Sequence, residues 1–96
     1  MKPSQAFMLH RAEIRRIVEQ NCARNPRVFG SVVHGEDTEG SDLDLLIDAT
    51  EQTTLLSIVR IEDELKKLLG VPVDVQTPES LSERFRQAVL AEAVRV

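Results

Sequence analysis

The apolar residues of this chain recur at two spacings, and each spacing identifies an element. From Ser4 to about Arg24, Phe7, Ile14, Ile17 and Val18 return to one face at 3.6 residues per turn, which predicts a helix with Ser4 as its N-cap. "NPR" ends that helix, because Pro26 cannot sit inside one, and "RVFG" then reads as a short strand stopped at Gly30. A short helix over "VVHG" comes next. From Leu43 the period drops to two, with Leu43, Leu45 and Ile47 on one face and Asp42, Asp44, Leu46 and Asp48 on the other. The result is a strand with an acidic end. A second long helix is expected from about Thr54 to Leu69, with Leu55, Ile58, Ile61, Leu65, Leu68 and Leu69 on one face and Gly70 just past its end. "VPVDVQT" is another strand, in which Asp74 points away from Val73 and Val75. The last helix opens with Ser80 and Glu83 at capping-box spacing and continues through Phe85, Ala88 and Val89. This order of elements predicts an α/β (α+β) layer, a small mixed sheet flanked by helices.

Composition narrows the function classes. At 96 residues, residues 1–96 are expected to form a single domain with one core. Hydrophobic residues at 42% and charged residues at 29% describe an ordinary globule. No apolar run approaches the length that crosses a bilayer, and the charges in "MKPSQAFMLHRAEIRR" do not suit a signal peptide, so the expected location is cytoplasmic. Cys22 is the only cysteine, which excludes an internal disulfide and a thiolate cluster; it is expected to be a small buried residue. A net charge of −4 and only three aromatic residues argue against a general grip on nucleic acid. Any phosphate site must therefore be local.

The candidate chemistry lies in "VFGSVVHGEDTEGSDLDLLID". Residues two apart on a strand share a face, so Asp42 and Asp44 stand about 6.5–7 Å apart at Cα and their carboxylates can serve one site. Hard oxygen donors of this kind suit Mg²⁺, and a pair of ions offsets the repulsion between them. Asp48 lies roughly 13 Å further along the strand and is excluded. If the "PVDV" strand neighbours this one, Asp74 brings a third carboxylate to the same edge. Gly30 and Ser31 end a strand and open a helix, where backbone N–H groups and the Ser31 hydroxyl can face a triphosphate. Each piece also has a plainer reading: a turn and helix cap for Gly30-Ser31, a solvated strand end for Asp42 and Asp44, an exposed edge residue for Asp74. No GxxxxGK[ST] is present, the glycine of "DTEGSDLD" is misplaced for an EF-hand, and "HGE" lacks the cysteines of a zinc deaminase. His10, with no partner nearby in sequence, is expected to be structural.

Gly30-Ser31, ten intervening residues and Asp42-Leu43-Asp44 match the GS-x10-D-x-D signature of the polymerase β-like nucleotidyltransferase superfamily. More narrowly, the chain resembles the minimal nucleotidyltransferases, short proteins often encoded with HEPN-domain ribonucleases as the antitoxin of a toxin–antitoxin pair. The likeness extends over nearly the whole length and includes the "VPVDV" strand. It implies the polymerase β-like fold, Mg²⁺ on Asp42, Asp44 and Asp74, and the triphosphate of ATP on Gly30 and Ser31. It further implies that Asp74 helps deprotonate the attacking hydroxyl. For antitoxin members that hydroxyl belongs to a tyrosine of the partner HEPN toxin, which AMP transfer silences.

One residue departs from the pattern. Where many relatives read "GSxARG", this chain reads "GSVVHG", with His34 in place of a permanently charged arginine. His34 is expected to cap or pack the short helix. Three functions therefore compete: transfer of AMP to a partner toxin, neutralisation of that partner by binding alone with a degenerate nucleotide site, and transfer to a small-molecule hydroxyl. The third needs acceptor-binding structure for which this length leaves no residues. The acceptor is thus expected to bring its own surface, and Leu56 and Val59, off the main apolar stripe, are candidates to meet it.

Overall fold

The computed structural model describes residues 1–96. Helices α1 (Pro3–Leu9) and α2 (Arg11–Gln20) lead into strand β1 (Ala23–Phe29), the one-turn helix α3 (Ser31–His34) and strand β2 (Leu43–Ala49). Helix α4 (Leu55–Leu69), strand β3 (Val73–Gln76), a 3-10 turn (Pro78–Ser80), helix α5 (Glu83–Glu92) and a two-residue strand β4 (Val94–Arg95) complete the chain. The four strands form one sheet in the order β3-β2-β1-β4. β2 and β3 run parallel with α4 as their crossover, and β1 is antiparallel to both β2 and β4. This is the mixed sheet flanked by helices that the sequence implies.

One core joins the sheet to α2 and α4. Leu43, Leu45 and Ile47 of β2, with Val28, Val73 and Val75 beside them, meet Ile14 and Val18 of α2 and Ile61 and Leu65 of α4. Burying side chains of this size contributes about 1.5–3 kcal/mol each. The opposite face of β2 carries Asp44, Leu46 and Asp48, as the alternation requires. Leu46 is nonetheless fully buried, since it lies in register between Arg27 on β1 and Gln76 on β3.

Helix α4 has defined ends. Thr54 and Ser57 cap it reciprocally, each side-chain oxygen accepting from the other's backbone N–H, and Gly70 closes it at φ +70°. Halfway along, Glu62 Oε2 accepts the Val75 N–H at 2.9 Å and so occupies an outward donor of the edge strand β3. Leu55, expected on the core face, is instead 78% exposed. It is the first helical residue, and the packed stripe begins a turn later.

Several other expectations are corrected. The helix expected from Ser4 to Arg24 is two helices that break at His10. Pro3 takes the first helical position, so Lys2 is the N-cap rather than Ser4. The Ser4 N–H instead donates to Asp37 Oδ2 at 2.9 Å, from 33 residues away. His10 has a partner one turn on, with Nδ1 2.6 Å from Glu13 Oε2. Strand β1 begins at Ala23 and runs through Pro26, which is tolerated because the pairing with β2 shifts between Arg24 and Arg27 and Asn25 turns at φ +54°. Cys22 is exposed, not buried, and also has positive φ. The last helix begins at Glu83 with Ser82 as its cap, whereas Ser80 belongs to the 3-10 turn capped by Thr77. Strand β4 was not anticipated: two residues carry too little pattern to be read.

Candidate functional site

Strand register builds the site. Phe29 on β1, Asp44 on β2 and Asp74 on β3 are paired neighbours, so their side chains form one row across the face of the sheet opposite the core. Adjacent strands stand about 4.8 Å apart, which brings the Asp44 and Asp74 carboxylates together, and Asp42 lies at the exposed entry to β2. The register thus sets Asp44 and Asp74 side by side, with Asp42 near enough for its charge to act on Asp44.

Gly30 completes the row from the side of β1. It ends the strand at φ +74°, ψ −143°, a conformation that L side chains rarely adopt. A Cβ at this position would collide with Asp44 Oδ2. Only glycine lets the backbone turn at Gly30-Ser31 abut the carboxylate, and this contact joins the two halves of the GS…DxD pattern. Ser31 follows as the first residue of α3.

The electrostatics are those of an unneutralised acidic cluster. Burial, followed by the charges of Asp74 and Asp42, pushes the Asp44 carboxyl up to about 6. None of the three forms an ion pair with a lysine or arginine. They gather at one edge without closing on a common point as a finished coordination sphere would. A cluster of carboxylates that raises the pKa of its central member, with Gly30 packed against that member, has the donor chemistry of a Mg²⁺ site. Asp74 is further held by Gln76, whose Nε2 lies 3.2 Å from both carboxylate oxygens.

Asp48 lies outside this group, as its distance along β2 implies. It accepts from Arg27 Nη1 at 2.9 Å and from Asn25 Nδ2 at 2.9 Å. Burial alone would raise its carboxyl, but those hydrogen bonds and the charges of Arg27 and Arg24 outweigh burial and hold it low. His34 is committed elsewhere: its Nε2 is 2.8 Å from Glu92 Oε2, and its Nδ1 is 4.0 Å from Glu36 Oε1. It ties α3 to α5, consistent with a packing role.

Two features escaped the sequence reading. Asp37 is buried and pins the segment between α3 and β2 to the start of α1. The Ser4 N–H bond, foremost, holds its carboxyl below the ordinary range. No local pattern distinguishes it from the neighbouring Glu36 and Glu39. A groove of about 400 Å³ also runs between the end of β1 and α5, lined by Phe29, Leu81, Phe85, Ala88 and Val89 and reaching Gly30. The helical spacing of Phe85, Ala88 and Val89 is the available signal, and α5 buries none of its residues.

Comparison with known proteins identifies the family and the fold. Residues 11–96 match the model of the nucleotidyltransferase domain family. "Protein adenylyltransferase MntA" of Thermococcus cleftensis is 40% identical over 87 residues, 91% of this chain and 85% of that protein. A solved structure described as a candidate minimal nucleotidyltransferase superposes with a TM-score of 0.86 at 39% identity, covering 97% of this chain and 95% of its own. A complex described as a tri-AMPylated Shewanella oneidensis HEPN toxin with its MNT antitoxin shares the fold at 19% identity and a TM-score of 0.68, over 92% of this chain and 69% of that one. With its signature residues brought to one edge of the sheet and most of its length matched, this chain belongs to the nucleotidyltransferase family.

Proposed function

We propose that residues 1–96 act as one minimal nucleotidyltransferase domain that transfers AMP from ATP to a tyrosine hydroxyl of a partner HEPN ribonuclease toxin, silencing it. The observation that carries this reading is the position of Asp44, packed against Gly30 on one side and paired with Asp74 on the other. It is supported by the similarity to the protein adenylyltransferase MntA of Thermococcus cleftensis.

In this reading Asp42, Asp44 and Asp74 hold Mg²⁺, which when bound supplies positive charge against the oxygens of an in-line displacement at phosphorus. Gly30 and Ser31 orient the triphosphate through backbone N–H groups and the Ser31 hydroxyl. The acceptor oxygen forms a bond to the α-phosphorus while the bond to the bridging oxygen breaks, and pyrophosphate leaves with that electron pair. The hydroxyl proton passes towards Asp74, which stands on the outer strand. Catalysis of this kind consists mainly of positioning and electrostatics.

A second reading, neutralisation by binding alone, is favoured by one contact: His34 pairs with Glu92 and adds no fixed cation to the phosphate turn. Intact-mass spectrometry of a co-purified HEPN partner, after incubation with this protein, ATP and Mg²⁺, separates the two. A gain of one or more AMP units that vanishes with Asp42→Asn is the expected result. An unchanged mass with toxin activity still suppressed would establish the second reading.

A further inference from the structure

We propose that Gln76, fixed by Ser80, is a positioning residue that holds the Asp74 carboxylate in its working orientation. This rests on the reading of the three aspartates given above. Gln76 and Asp74 are two residues apart on β3 and so share the face of the sheet that bears the site. Gln76 Nε2 is 3.2 Å from Oδ1 and 3.2 Å from Oδ2 of Asp74, and its Oε1 accepts from Ser80 Oγ at 2.7 Å. The last contact determines which way the amide faces. With the oxygen turned to a hydroxyl donor, the NH₂ must face the carboxylate.

Ser80 is itself fixed. Its Oγ accepts the Thr77 N–H at 3.0 Å, and its own N–H donates to Thr77 Oγ1 at 3.3 Å. The Ser80 hydroxyl has one proton to give and two acceptors in reach, Thr77 O at 2.9 Å and Gln76 Oε1 at 2.7 Å; the shorter contact goes to Gln76. A chain of hydrogen bonds therefore runs from the capped 3-10 turn, through Gln76, to Asp74.

Asp74 needs such a support. It lies on an edge strand, with no strand on its outer side, and on the inner side it faces the like charge of Asp44. A donor to both oxygens opposes that repulsion and fixes the carboxylate plane. Each oxygen keeps a second lone pair for a cation or a proton. Groups that orient a metal-binding carboxylate in this way are typically worth about 10–100-fold in metal affinity or activity.

The test uses the full chain with Mn²⁺ as the probe, its free concentration read by electron paramagnetic resonance, alongside the kinetics of AMP transfer and thermal melts. Gln76→Leu should weaken Mn²⁺ binding about tenfold or more and lower kcat, leaving KM for ATP and the melting temperature near wild type. Ser80→Ala should shift both in the same direction by less, and Ser80→Thr, which keeps the hydroxyl, should restore them. Because the two residues act in series, Gln76→Leu with Ser80→Ala should be no worse than Gln76→Leu alone. Unchanged or tighter Mn²⁺ binding in Gln76→Leu, or strictly additive losses in the double variant, would overturn the proposal. Should Gln76→Leu fail to fold, the Ser80→Ala and Ser80→Thr pair decides it. Wild-type protein that binds Mn²⁺ but transfers no AMP would refute the transferase reading and leave this test standing on metal affinity. Wild-type protein that binds no Mn²⁺ would overturn both.

Discussion

Replacing Asp44 by asparagine should make the metal-free protein more stable at neutral pH, and the structure sets the size of the effect. Burial, with the neighbouring Asp74 and Asp42 charges, raises the Asp44 carboxyl from 3.8 to about 6. A group whose pKa is raised on folding favours the native state while it is protonated. That advantage is complete below the unfolded value and is lost as pH rises through the folded value. At pH 7.5 the carboxylate is therefore ionised at its full cost, whereas at pH 3.5 it is mostly neutral in both states and resembles an asparagine. The shift of about two units corresponds to about 3 kcal/mol before screening. Asp44 is only about half buried, so solvent reduces this to about 1 kcal/mol. For a domain of this size that is a rise of about 4–8 °C in melting temperature. The assay is a pair of thermal melts by circular dichroism, wild type against Asp44→Asn, in EDTA at pH 7.5 and again at pH 3.5. The variant should be the more stable at the higher pH and close to wild type at the lower one. Added Mg²⁺ should reverse the order by stabilising the wild type alone. A variant no more stable than wild type at pH 7.5, or a difference independent of pH, would refute the claim that Asp44 is held at electrostatic cost.

The remaining expectations are as follows. Gly30→Ala forces a positive φ on an L residue, about 1–2 kcal/mol, and drives a methyl into Asp44 Oδ2; melts should show at least that loss, and AMP transfer should disappear. Asp48→Ala leaves the buried Arg27 guanidinium with only the Asn25 carbonyl, costing about 1–3 kcal/mol in denaturant unfolding while kcat per folded molecule is unchanged. Asp37→Ala removes the acceptor for the Ser4 N–H, worth about 1 kcal/mol. Because the folded carboxyl is lowered, that difference should be present above pH 4 and shrink as pH falls through the folded value, as acid titration of both proteins would show. His34→Arg should tighten ATP binding in calorimetry; equal or weaker affinity would exclude a phosphate role for this position.

Much of the site is legible because it depends on short-range rules. A period of two in "DLDLLID" fixes which side chains leave the core, and the structure places Asp44 and Leu45 on opposite faces as that period demands. The register of β3 against β2 was the missing link. Nothing local to "VPVDV" says that Asp74 pairs with Asp44 rather than with Leu46, and a shift of one residue would have turned it into the core. Helix ends were read less well. Ser80 and Glu83 have capping-box spacing, but Thr77 competes for Ser80 through a tighter turn, and Ser82 takes over as the cap of α5. The break at His10 was invisible because the apolar positions on either side keep one helical phase. Asp37 was missed for another reason: its partner, Ser4, is 33 residues distant, and burial imposed from that far away leaves no trace in neighbouring residues.

The bond from Glu62 to the Val75 N–H bears on how this molecule can associate with others. β3 is both the outermost strand and the carrier of Asp74. An incoming strand would need Val75 as a donor and would lie alongside the acidic row. With that donor already taken by a charged acceptor from α4, sheet extension on this side must first break an internal bond. The edge beside the aspartates is thus kept open to side chains and small molecules and closed to the backbone of another chain.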